Sequence, residues 1–247
     1  MVEPVSRDSV ISSSEKWILQ FPALAVALAI LLFASGVTFA GATTHTRAAR
    51  TNQSGKLDTI LKRIQIHYQK TDSLTAQFSE DIAAANGMRR ARAGKVYYRK
   101  PGKMRWEFTG TEAETIVSDG RVLYSYQPDL NQVMKAPLAR VFKSSAPAAF
   151  LLGVGDIKRD FKASIPEPPP SDGLVHVSLS PKGGGETIEL GLDPESYDLK
   201  WLRITDQLGN VSTLRFEDIR SNISLNDAIF TFEPPKDADI VEAPGLP

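Results

Sequence analysis

Between Gly94 and Tyr126, large apolar and aromatic side chains take every second position of consecutive short segments. Gly94-Lys95-Val96-Tyr97-Tyr98 leads through Arg99-Lys100-Pro101-Gly102-Lys103 into Met104-Arg105-Trp106-Glu107-Phe108. Ile116-Val117-Ser118-Asp119-Gly120-Arg121 and Val122-Leu123-Tyr124-Ser125-Tyr126 follow after a short gap. Neighbouring side chains of a strand point to opposite faces, so the alternation builds a continuous apolar sheet face. Periodicity alone is satisfied by an ordinary sheet core, and the rest of the chain must say what that face is for.

Most of the remaining sequence repeats the theme. Leu74, Ala76 and Phe78 alternate with polar residues. Strands are also predicted at Gln132-Val133-Met134, Val175–Leu179, Thr187–Leu192, Leu199–Thr205, Val211–Ile219 and in the tail Ala228–Pro235. Paired prolines end that tail. Leu57, Ile60, Leu61, Ile64 and Tyr68 instead recur at helical spacing, with Ser54 as the expected cap. Helical spacing returns over Ala136–Phe161, interrupted by Pro147. Without crossover helices between the strands, the sheet should be antiparallel, with about ten or eleven strands. A sheet that long, apolar on one face, has to curl or be covered. The expected fold is mainly β with α: a single curved antiparallel sheet closed by the two helical pieces. It fills a single domain over 56–247, behind a flexible lead-in at 43–55.

The N-terminus bears on location. An apolar run from Trp17 to Ala34 precedes Ala40-Gly41-Ala42, which fits the small-x-small rule for signal peptidase. Residues 1–42 therefore read as an export signal, with a retained membrane anchor as the alternative. Either outcome sends the domain to the periplasm. Cysteine is absent, which removes disulfides, thiolate metal sites and a lipidated N-terminus. With 29 basic and 29 acidic residues there is no nucleic-acid footprint.

No constellation for catalysis emerges. His45, His67 and His176 lack metal-ligand spacing, and no nucleophile elbow or phosphate loop is present. Gly183-Gly184-Gly185 reads as a turn, and Asp119 as the residue that makes the Ser-Asp-Gly turn. Glu80-Asp81 and Glu112–Glu114 read as solvated carboxylates. Neither an enzyme, a cofactor nor a metal is expected.

The order of basic-Pro turn (Arg99–Gly102), Trp106-bearing strand, Ser118-Asp119-Gly120 turn and Tyr124/Tyr126 strand resembles the periplasmic outer-membrane lipoprotein carrier family, LolA. Pro147–Leu152 and Phe230–Pro235 extend the resemblance across nearly all of 57–241. It implies that the curved antiparallel sheet is an unclosed half-barrel under a helical lid, and that the protein is a monomeric carrier that binds lipoprotein acyl chains in an apolar cavity. Its partners would be lipoproteins, an inner-membrane lipoprotein-releasing ABC transporter and an outer-membrane lipoprotein receptor. The alternative is a membrane-anchored periplasmic module of the same fold that senses lipids or lipoproteins. The cavity residues implied are Trp106, Phe108, Ile116, Tyr124 and Tyr126, with Phe150, Leu151 and Leu152 from the lid. In the family an arginine before the turn proline holds the lid through backbone carbonyls. Here that position is Lys100, which lacks the planar fork of arginine. Lys100 is the expected lid residue, with Arg99 directed to solvent. Met104 and Pro101 are expected to meet the transporter.

Overall fold

A computed structural model describes residues 47–143, 157–168, 170–182 and 184–242. Among them, twelve strands form one sheet in the order β12-β6-β5-β4-β3-β2-β1-β11-β10-β9-β8-β7. The first half comprises β1 (Ser73–Ala83), β2 (Arg89–Arg99), β3 (Lys103–Thr109), β4 (Glu114–Asp119), β5 (Val122–Gln127) and β6 (Gln132–Pro137). The second comprises β7 (Phe161–Ser164), β8 (Val175–Pro181), β9 (Thr187–Leu192), β10 (Leu199–Thr205), β11 (Val211–Ser221) and β12 (Asp239–Glu242). The two edge strands have four residues each and do not pair with one another, so the sheet stays open.

Four sequence expectations need correction. Eleven neighbouring pairs hold the sheet together and ten are antiparallel, but β12 lies parallel to β6. β7 and β12 are too short to show a period-2 pattern. Helix α1 runs from Arg47 to Lys70, so residues 47–55 are helical and Ser54 is interior, not a cap. Arg47-Ala48-Ala49-Arg50 are good helix formers, and they carry the helix through Gly55. The expected final strand at 228–232 is a 3-10 turn, Asp227–Phe230, capped by the Asn226 side chain accepting from the Ala228 N–H. An extended strap follows it. Phe230 is buried, and Phe232 lies 5.5 and 5.9 Å from the rings of Tyr124 and Tyr126.

Two apolar clusters form the core. Ile60, Leu61 and Ile64 of α1 bury themselves against Val177, Leu179, Ile188, Leu190 and Leu202 of β8–β10. The second cluster covers β1–β6 and includes Leu138 of helix α2 (Leu138–Lys143). A further short helix, α3 (Ile157–Asp160), precedes β7. Phe216 of β11 packs against both clusters. Among the described residues no helix is long and apolar enough to cross a membrane.

The two turns that carry the sequence motif touch each other. Gly120 has φ +96°, and a Cβ there would sit 2.8 Å from the Pro101 carbonyl oxygen. Glycine is therefore required both by conformation and by space. Asp119 accepts from the N–H groups of Arg121 at 2.7 Å and Val122 at 2.9 Å. Burial opposes ionisation of this carboxyl, but those hydrogen bonds and the Arg121 charge outweigh it and hold it below the usual range. It is the turn-maker that the sequence suggests.

Candidate functional site

Pairing along one row runs Ala76–Val96–Trp106–Ile116–Ser125–Met134. The next runs Leu74–Tyr98–Met104–Ser118–Leu123–Ala136. Together they make the apolar inner face of β1–β6. Phe78 meets Trp106 and Phe108 edge-on at 4.9 and 5.0 Å, and Phe216 approaches Trp106 at 6.4 Å. Gly94 makes this possible. A Cβ there would strike the Glu107 backbone and lie 2.9 Å from Cζ of Phe78. Ile116 and Phe108 are buried, whereas Trp106 is half-buried.

The expected cavity residues therefore divide. Trp106, Phe108 and Ile116 share the inner face. Tyr124 and Tyr126 do not: they pair with Val117 and Thr115 on the outer face, under Phe232 of the strap. Ser125 is the inward residue of that Tyr-Ser-Tyr segment, because the two-residue phase is reset by the turn at 119–121. Phe150, Leu151 and Leu152 lie outside the described residues.

Arg99 and Lys100 point to opposite faces. Lys100 Nζ donates to the carbonyls of Tyr68 and Gln69, both at 2.8 Å. These are orphan acceptors of the last turn of α1, where a cation also suits the helix dipole. Lysine, as a point charge, serves two carbonyls here without a planar fork. Arg99 is not directed to solvent as expected. It donates to the Leu225 carbonyl at 2.8 Å, pairs with Asp227 and lies over the Phe230 ring. It pins the strap. Lys103 also pairs with Asp227, and Arg105 reaches the Ile229 carbonyl at 3.3 Å. Met104 is buried on the inner face, while Pro101 is exposed at the turn.

Two carboxylates expected in solvent are inside. Glu80 is 1 % exposed, Glu114 2 % and Arg92 6 %. Their signal lies in the alternation: Glu80 continues the phase of Ala76 and Phe78, Arg92 that of Val96, and Glu114 that of Ile116. Burial pushes the Glu114 carboxyl up to about 7, and the Glu80 charge adds to this against the Ser125 hydrogen bond and Arg92. The other acids noted in the sequence are exposed: Glu112 sits 3.8 Å from Arg90, and Asp81 pairs with Arg215. His67 and His176 face Asp198 and Asp172 at 3.1 and 2.7 Å. Among the described residues no group of three His, Asp or Glu is placed to hold a metal.

The raised Glu114 value sets a pH dependence. A carboxyl that binds its proton more tightly when folded favours the folded state below its unfolded value near 4.5. That contribution is lost as pH rises from about 4.5 to about 7 and stays lost above. The wild type should lose on the order of 3 kcal/mol across this window from Glu114 alone. Urea unfolding of Glu114→Gln should show that slope removed, because an amide does not titrate. A Glu114→Gln profile parallel to wild type would contradict it.

Comparison with known proteins places this architecture. The family model for the outer membrane lipoprotein carrier protein LolA matches residues 69–233. The outer-membrane lipoprotein carrier protein of Dechloromonas aromatica is 31% identical over 183 residues, covering 72% of this chain and 86% of its own. That of Chromobacterium violaceum is 34% identical over 172 residues, covering 68% and 81%. The crystal structure of a LolA superfamily protein from Nitrosomonas europaea aligns over 71% of this chain and 97% of its own, with TM-score 0.41 and 14% identity. With the family model matching more than half of its length, this chain belongs to the outer-membrane lipoprotein carrier family, LolA.

Proposed function

We propose that this protein is a periplasmic carrier. It takes lipoprotein acyl chains onto the inner face of β1–β6 and moves lipoproteins from the inner to the outer membrane. The observation that carries the reading is the apolar face itself, with half-buried Trp106 among Phe78, Phe108 and Phe216. Each methylene moved from water to such a surface gains about 0.8 kcal/mol, so acyl chains that cannot cross water alone can cross inside a carrier. The cargo would come from an inner-membrane ABC transporter and pass to an outer-membrane receptor. Exposed Pro101 is the motif-turn residue best placed to meet the transporter, with Met104 behind it. Mass spectrometry of the protein purified from its native host tests the reading. Acylated lipoprotein should co-purify, and recovery of free lipid alone would overturn it.

Lys100 is the residue whose loss should separate loading from release. The Lys100→Leu variant frees the Tyr68 and Gln69 carbonyls and unties α1 from the β2–β3 turn. Such a protein should accept cargo but deliver it to receptor poorly, because the tethered closed form no longer competes with bound acyl chains. Arg99→Leu should instead lower stability by about 1–2 kcal/mol through the strap and leave transfer intact. Delivery of a labelled lipoprotein from each loaded variant decides. Blocked transfer in Arg99→Leu with normal transfer in Lys100→Leu would reverse the two roles.

A further inference from the structure

The apolar inner face ends in charge. Inward positions of β2 run Tyr98, Val96, Gly94 and then Arg92. The Arg92 guanidinium donates to Oε2 of Glu80 from Nε at 3.0 Å and from Nη2 at 2.5 Å. Oε1 of Glu80 accepts from the Ser212 hydroxyl at 2.9 Å. Nη1 of Arg92 lies 3.6 Å from Oε2 of Glu114, whose other oxygen accepts from Ser125 at 2.5 Å. The guanidinium also stands 4.3 Å from the centroid of Phe108, so the last aromatic of the face is clamped to the first charge. Nothing in carrying acyl chains requires two buried carboxylates and a buried arginine on this face.

We infer that the Glu80–Arg92–Glu114 cluster is the end-stop of the acyl site and sets the chain length that this carrier accepts. The inference rests on the carrier reading. From Tyr98 to Arg92 is six residues, about 20 Å at the rise of a strand. One leaflet of a bilayer's hydrocarbon core is about 15 Å deep. The apolar stretch is therefore commensurate with one acyl chain. Each methylene laid along it should tighten binding about fourfold. A methylene that reaches the cluster has no such gain, because it must displace charges whose hydrogen bonds are already made.

The test is the binding of a fluorescent dipeptide bearing one saturated acyl chain of graded length. Wild-type affinity should climb with length and then level off. In Glu80→Leu/Arg92→Met/Glu114→Leu the whole charged group becomes apolar, a replacement that buried ion pairs commonly tolerate. There the climb should continue for at least two more methylenes, tightening the longest probes about 15-fold over wild type. The same levelling point in both proteins would overturn the inference. If the triple variant does not fold, photolabelling of wild type decides, using a probe with a diazirine at the methyl end of its chain. Label on Phe78, Phe108 or Arg92 supports the end-stop, and label on Tyr98, Met104 or Leu123 overturns it. Failure of wild type to bind any chain would sink the carrier reading itself.

Discussion

Arg92→Leu should cost about 3–5 kcal/mol of folding stability near pH 7.5, a large part of what a domain of this kind possesses. Among the described residues, the substitution leaves Glu80 with Ser212 alone for support, and Glu114 with Ser125 alone. Neither hydroxyl neutralises a buried charge. Glu114, whose carboxyl burial already pushes up, would lose the Arg92 charge that holds it down, so the variant should recover stability as pH falls toward 5. Removing all three charges together should cost far less than removing Arg92 alone, because no uncompensated ion remains. Urea denaturation at two pH values measures this directly. An Arg92→Leu midpoint within error of wild type at pH 7.5 would show that water or a rearrangement reaches the cluster.

The fold was largely legible because the period-2 pattern is strong wherever a strand has one covered face. Val96, Trp106, Phe108 and Ile116 all fall inward as the alternation requires. The error at Tyr124 and Tyr126 has a definite cause. Alternation fixes parity within a strand but not across a turn, and aromatic residues suit either face when a strap covers the outer one. That strap was read as a strand because Ile229, Phe230 and Phe232 are apolar. Only its contacts reveal that it crosses the outer face, tied there by Arg99 and Arg105. The charged cluster escaped for the opposite reason. Residue type outweighed phase, although Glu80, Arg92 and Glu114 each continue an inward series. Polar residues in phase with a core are the informative exceptions.

The division of the sheet into an acyl-binding inner face and a strap-covered outer face is the central claim, and one pair of variants tests it. Trp106→Asp places a carboxylate among the rings of Phe78, Phe108 and Phe216 on the apolar inner face. An unpaired polar group in such surroundings costs several kcal/mol, so acyl binding should fall by a factor on the order of 100 or more. Tyr124→Asp makes the same change on the outer face, beside Phe232, and should leave binding near wild type while loosening the strap. Affinity of each folded variant for an acylated lipoprotein is the measurement. Loss in Trp106→Asp with retention in Tyr124→Asp is the predicted result; retention in Trp106→Asp with loss in Tyr124→Asp would put the cargo on the other face.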